Sequence, residues 1–227
     1  FTDGYSTSRN VIATIPGEID EVICYSAHYD SVPTSPGVYD NLSGVVGVLE
    51  LFYYYSLNKP KRTMKFLFAG SEELGLLGSL DYCKKHDLSK YRLNINLDMI
   101  GVTIGFDHAR ITAENDFKTY LDYFAKIEGF NLDTLAGIYS SDSTSFADSG
   151  VPSVSFARLP NPGGKQIHNN LDNIDFLGKN NMKRTLEFIL KLTNDLDKSM
   201  VFPVTREIPK DLLVKLDEYF SREEKNE

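Results

Sequence analysis

Apolar runs of strand length alternate with longer stretches of helical period along this chain. Two short runs come first, NVIATI (10–15) and EVICYSA (21–27), separated by the turn-rich PGEID. They predict two strands, read as an antiparallel pair. LSGVVGVLELFYYYSL (42–57) has helical length and an apolar face, and it ends before Pro60, which cannot continue a helix. TMKFLFA (63–69) predicts a strand and ELGLLGSLDYCKKH (73–86) a helix. RLNINLD (92–98) alternates as a strand does, ARIT (109–112) is a short strand, and ENDFKTYLDYFAKIE (114–128) is a helix. VPSVSFA (151–157) predicts a strand, 174–198 a long helix weakened by Gly178, and 210–227 an amphipathic helix fraying into charges.

Strands alternating with helices predict an α/β fold, a three-layer α/β/α sandwich with a mixed, mainly parallel central sheet and an antiparallel edge. No repeat, low-complexity segment or dividing linker interrupts residues 1–227, so one domain is expected. That length suffices for a large core that buries roughly 70% of the unfolded surface. In such a fold, chemistry belongs in the loops at the carboxyl ends of the strands.

Charge and composition narrow the partners. A net charge of −8 with no offsetting basic stripe argues against nucleic acid and suits a site for cations or positively charged ligand ends. No apolar stretch approaches the ~20 residues that span a bilayer. Two cysteines, Cys24 and Cys83, do not make a disulfide framework and leave the redox compartment open. The chain opens on Phe1 and not Met, which leaves room for a removed leader.

The loops after the strands carry titratable residues. EVICYSA runs into His28, Tyr29 and Asp30; KFLFA runs into Glu72 and Glu73; RLNINL runs into Asp98. Asp40 and Asn41 stand at the start of the helix at 42, and His168 follows the last strand and a Pro/Gly-rich loop. Each has an ordinary explanation. Ser71 could cap a helix whose first turn holds Glu72 and Glu73, with Leu74, Leu77 and Leu80 on its buried face. Asp40 or Asn41 could cap the next helix, Asp98 could sit in a turn, and His168 could be a surface histidine. Jointly these explanations weaken, because the central strands all end in an acid or a histidine on one edge of the sheet. Two histidines and several carboxylates without cysteine suit zinc, with manganese or cobalt as hard-ion variants. The side chains of His28 and Asp30 point to the same side of an extended segment, so Asp30 can accept the spare ring N–H of His28.

The segments SAHYDS (26–31), GVYDNLSG (37–44), SEELGLLGS (71–79), NLDMIG (96–101), SDSTSFADSGVPSVSF (141–156) and IHNNLDN (167–173) together resemble the co-catalytic zinc aminopeptidases of metallopeptidase family 28, of the bacterial leucyl aminopeptidase type. The resemblance covers about residues 10 to 200. It implies two zinc ions per chain, one held by His28 and Asp98, the other by Glu73 and His168, with Asp40 bridging. It also implies Glu72 as general base, Asp30 behind His28, and a cis Asp40–Asn41 bond. Two metals ~3.5–4 Å apart that share a water would then cleave the N-terminal residue from peptides with a free amino group. The chain departs from the family pattern at Ser143, where SDH is common, and at Asn169 and Asn173, which replace threonines. The tyrosine that hydrogen-bonds the reaction intermediate in some relatives falls near Ile138 or Tyr139. No protease-associated domain is evident, so the resemblance implies the catalytic domain alone, and it favours an extracellular or cell-surface location.

Three other functions fit the same scaffold. A glutaminyl cyclase carries tryptophans in its pocket, and this chain has none. A metallocarboxypeptidase needs a cation for the substrate carboxylate, which Arg158 in FARLPN could supply, although a structural ion pair is the plainer role. A non-catalytic binding domain would have lost ligands, whereas all the positions named above are intact.

Overall fold

In a computed structural model, residues 7–161, 164 and 167–221 are described. Seven strands, β1 (Val11–Ile15), β2 (Ile19–His28), β3 (Arg62–Ala69), β4 (Tyr91–Leu97), β5 (Phe106–Thr112), β6 (Leu132–Ala136) and β7 (Ser153–Leu159), form one sheet in the order β1-β3-β2-β4-β7-β5-β6. The pairs β3–β2, β2–β4, β4–β7 and β5–β6 are parallel, while β1–β3 and β5–β7 are antiparallel. The mixed, mainly parallel sheet expected from the pattern is therefore present. The proposed β1–β2 pairing is not. β3 inserts between them, and the Gly17–Glu18 turn folds over its start, where Glu18 and Ile19 N–H both donate to Lys61 O. β2 is buried without interruption from Val22 to His28, which requires covered neighbours on both sides, here β3 and β4.

Among the described residues, six α-helices flank the sheet: α1 (Ser43–Leu57), α2 (Leu77–Lys85), α3 (Asn115–Ile127), α4 (Ser143–Asp148), α5 (Lys179–Lys198) and α6 (Lys210–Tyr219). The period-2 alternation of the strands sorts their side chains between two layers. Ile23, Tyr25, Met64, Phe66, Leu93 and Ile95 pack with α1, α3 and α5 residues such as Leu51, Phe117 and Phe188. Cys24, Leu67 and Ala69 pack on the other face with Tyr82, Cys83 and Phe146 of α2 and α4. On that second face β4 carries two buried asparagines, Asn94 and Asn96, each engaged by side-chain hydrogen bonds. Asn94 donates to Ser26 Oγ (2.9 Å), Asn96 accepts from Ser26 Oγ (2.8 Å), and Asn96 donates to Ser141 Oγ (2.8 Å). This ladder explains the polar positions in RLNINLD, since most buried polar side chains are kept where they find hydrogen-bond partners.

Several boundaries differ from the pattern. α2 begins at Leu77, not 73, because Ser71 and Leu76 take left-handed φ of 59° and 61° and Gly75 a φ of 98°. Ser71 is therefore no N-cap, and Leu74 is 71% exposed and not on a buried face. The helix expected from 174 begins at Lys179, after a short turn at Ile174–Phe176, and Gly178 marks the break. α6 closes at Tyr219, and the expected fraying at 222–227 lies outside the described residues. β6 and α4 were not expected. No helix among the described residues is long and apolar enough to cross a membrane.

Candidate metal centre

The fold brings the sequence-predicted residues to one edge of the sheet. His28 is the last residue of β2, Glu72 and Glu73 follow β3, Asp98 follows β4, and Asp40 precedes α1. His168 reaches in from the loop after β7. All six line one cavity of about 330 Å³. Asp40 lies between the two histidines. Its Oδ1 is 3.3 Å from His28 Nε2 and its Oδ2 is 3.2 Å from His168 Nε2. Glu73 Oε2 lies 3.1 Å from His168 Nε2, and Asp98 Oδ1 and Glu72 Oε2 each lie 3.9 Å from His28 Nε2.

A few buried contacts hold this geometry. The Asp40–Asn41 bond is cis. The Asn41 side chain ties the segment to the end of β4, donating to Leu97 O (2.9 Å) and accepting from Met99 N–H (3.0 Å), so Asp40 and Asp98 are placed by one residue. Gly44 permits this approach, because a Cβ there would meet Leu97 O at 2.2 Å. The fully buried Asp172 accepts from Tyr39 N–H (2.5 Å) and Asp40 N–H (3.2 Å), fixing the backbone that carries Asp40. Asp30 does more than expected. Its carboxylate accepts the backbone N–H groups of Glu72 (3.0 Å) and Glu73 (3.1 Å), so it shapes the turn that presents both glutamates. His28 Nδ1 is 3.1 Å from Asp30 O and 3.7 Å from Asp30 Oδ1. The ring is thus oriented mainly by the carbonyl. The pattern had pointed to Asp30 and Asn41, but Asp172 and the fully buried Asp142 were missed, although both stand inside quoted motifs.

Crowded carboxylates leave their mark on the titrating groups. Burial pushes Glu72 up to about 9, with Asp98, Asp142 and Glu73 adding to it and His28 opposing. Burial, then the Asp40 carboxylate, raises Glu73. Burial works against the His28 charge, yet Asp30, Asp40 and Asp98 outweigh it and hold the imidazolium well above its ordinary range. Burial likewise opposes ionisation of Asp30, but His28 and the two backbone N–H groups hold that carboxyl low. Burial pushes Asp142 up to about 6. Such a cluster calls for cations.

The residues fit divalent metal. Glu73 Oε1 and Asp98 Oδ1 are buried with no hydrogen-bond partner, which leaves acceptor capacity aimed at nothing in the protein. Among the described residues, ligand atoms of His28, Asp40 and Asp98 converge within 4.8 Å, as do those of Asp40, Glu73 and His168. The two groups share Asp40. A third convergence, His28 with Glu72 and Glu73, is possible geometrically but leaves the orphaned Asp98 oxygen unused. The set is nitrogen and oxygen without thiolate, as zinc accepts.

The profile of Peptidase family M28 matches residues 10–193. The chain belongs to that family. Aminopeptidase YwaD of Bacillus subtilis is 29% identical over 231 residues, covering 94% of this M28 chain and 50% of its own length. The probable lipoprotein aminopeptidase LpqL of Mycobacterium tuberculosis is 41% identical over 99 residues, covering 41% of this chain and 20% of its own. Among solved structures, BSAP, a zinc aminopeptidase from Bacillus subtilis, superposes with a TM-score of 0.76 at 26% identity, covering 89% of this chain and 53% of that one. The M28 chain thus spans about half the length of YwaD and BSAP.

Proposed function

We propose that this chain is a two-zinc aminopeptidase unit that removes N-terminal residues from peptides with a free α-amino group. The observation that carries the reading is Asp40, whose two oxygens face two different histidines at 3.3 and 3.2 Å. His28 and Asp98 would hold one ion, Glu73 and His168 the other, and Asp40 both. Manganese or cobalt suits the same donors. Ions held there would supply Lewis-acid polarisation of the scissile carbonyl and a lowered pKa for the attacking water. Glu72 lies beside this set without belonging to either group. As a carboxylate beside the ions, Glu72 would take the water's proton and return it to the leaving amine. Asp30 keeps the backbone of Glu72 and Glu73 in place.

Tyr139 is the candidate hydrogen-bond donor to the developing oxyanion. Its hydroxyl is buried without a partner, and burial followed by the Asp98, Tyr39 and Asp40 charges holds it protonated. Tyr139→Phe should lower kcat by about 10²-fold, the scale set by removing one oxyanion donor, with zinc content unchanged. A fall under threefold would remove Tyr139 from the mechanism.

The carboxypeptidase alternative loses the cation it needed. Arg158 is buried, donating from Nη1 to Asp107 Oδ2 at 2.6 Å and from Nε to Val102 O at 2.9 Å. Asp107 is further engaged by Arg184 and Thr185.

Elemental analysis of protein reconstituted with zinc tests the assignment. Two ions per chain are expected. A plateau at one with full activity would contradict the shared Asp40 and turn attention to a cyclase.

A further inference from the structure

The family match ends at residue 193, yet the chain continues across the molecule and comes back to the carboxylate–histidine cluster. Past α5, Phe202 and Val204 are buried. Arg206 then donates to Tyr91 O (2.9 Å) and Leu88 O (3.0 Å), pinning the segment at the N-terminal end of β4. α6 begins four residues later. Its ten residues rise ~15 Å, enough to run alongside the strands toward their carboxyl ends. Leu212 and Leu216, one turn apart, are both buried, and α6 packs against α4. Its last residue, Tyr219, then lines the cavity formed by the carboxylate–histidine cluster. Tyr219 is 38% exposed, and its hydroxyl meets Ser140 Oγ at 2.7 Å, which tethers the ring at the rim of the cavity.

Away from the carboxylates and histidines, the other walls are Leu76, Met99 and Ile167, with Gly75 and Ser140 beside them. Among the described residues, no charged side chain lines the cavity outside the cluster itself. About 330 Å³ would also have to contain the ions and the attacking water, so the space left for a substrate side chain is small, and the side chains that bound it are mainly apolar. Pockets of this kind discriminate by volume, one methylene at a time.

We propose that Tyr219 is a specificity-determining residue, whose ring closes the pocket for the substrate's N-terminal side chain. The pocket then accepts mid-sized aliphatic residues and turns away bulky aromatic ones. This inference rests on the aminopeptidase reading above. The ring supplies the wall, and the hydrogen bond to Ser140 only tethers it.

The test compares wild type, Tyr219→Ala and Tyr219→Phe, all zinc-loaded. Two quantities are read: kcat/KM for leucyl and phenylalanyl arylamides, and calorimetric binding of free leucine and phenylalanine. Tyr219→Ala should raise the phenylalanine-to-leucine ratio by at least ~10-fold in both. Tyr219→Phe keeps the ring and should move neither ratio by more than about threefold. An unchanged ratio in Tyr219→Ala overturns the proposal. Equal shifts in both variants also overturn it, because the Ser140 bond and not the ring would then set preference. If the wild type cleaves neither arylamide, the aminopeptidase reading fails, and the binding ratios still decide whether Tyr219 walls the pocket.

Discussion

Replacing Glu72 by glutamine should lower turnover by at least ~10²–10⁴-fold and leave the metals bound. Glutamine keeps the shape of the side chain and loses its basicity. Glu73→Gln should fail differently. Glu73 Oε2 approaches His168 at 3.1 Å, and Glu73 Oε1 is a buried acceptor without a partner, so its loss removes an anionic donor from a cation. The expected defect is metal affinity, with activity partly restored by excess zinc. Adjacent side chains leaving a strand diverge, which would let neighbouring glutamates do different work. Measuring zinc content and kcat for both variants separates the roles. Metal loss in Glu72→Gln with retention in Glu73→Gln would reverse them. Near-normal activity in both would leave the pair without a part in chemistry.

The second large effect lies at the opposite end of the sheet. Arg62→Ala should destabilise the fold by about 3–5 kcal/mol, the cost of breaking a buried, hydrogen-bonded charge. Arg62 is 1% exposed. Its Nη1 donates to the carbonyls of Leu196, Asp197 and Ser199, capping the C-terminus of α5, and its Nε donates to Glu21 at 2.7 Å. In return, Asp197 accepts the backbone N–H groups of Lys61 (2.8 Å) and Arg62 (2.7 Å). Truncation would therefore orphan helix carbonyls and loosen a helix that buries Phe188, Ile189, Leu192 and Leu196. Arg62→Lys keeps the charge and loses the planar fork, so it should fall between wild type and alanine. Urea unfolding reads both. A loss under about 1 kcal/mol for Arg62→Ala would show that this network is not a major support.

His28, Glu72, Glu73 and Asp98 were legible in the sequence because each stands within a few residues of the end of an apolar run, and strand ends in an open α/β sheet share an edge. Asp40 and His168 needed the motifs around them, since nothing in local periodicity brings either to that edge. Asp172 was illegible for a different reason. It acts on the backbone at residues 39 and 40, over a hundred positions away, and such a contact has no local signature. The β1–β2 pairing misled because a short turn suggests a hairpin, while the demand of β2 for two covered edges is a property of the whole sheet. α4 escaped notice because STSFAD is short and rich in small polar residues that favour caps and turns. The reading of Ser71 as a helix cap failed because the N–H groups of Glu72 and Glu73 are taken by Asp30. Tyr219 was unreadable beforehand, since the direction of α6 depends on where Arg206 is anchored.

The central claim is that this edge of the sheet, loaded with zinc, cleaves peptides at a free amino terminus. The most direct measurement is hydrolysis by the zinc-reconstituted chain of one peptide in two forms, with a free α-amino group and N-acetylated, with product masses identifying the residue released. The account predicts stepwise loss of N-terminal residues from the free peptide and no cleavage of the acetylated one. Equal rates on the two forms, or release from the carboxyl end, would contradict it.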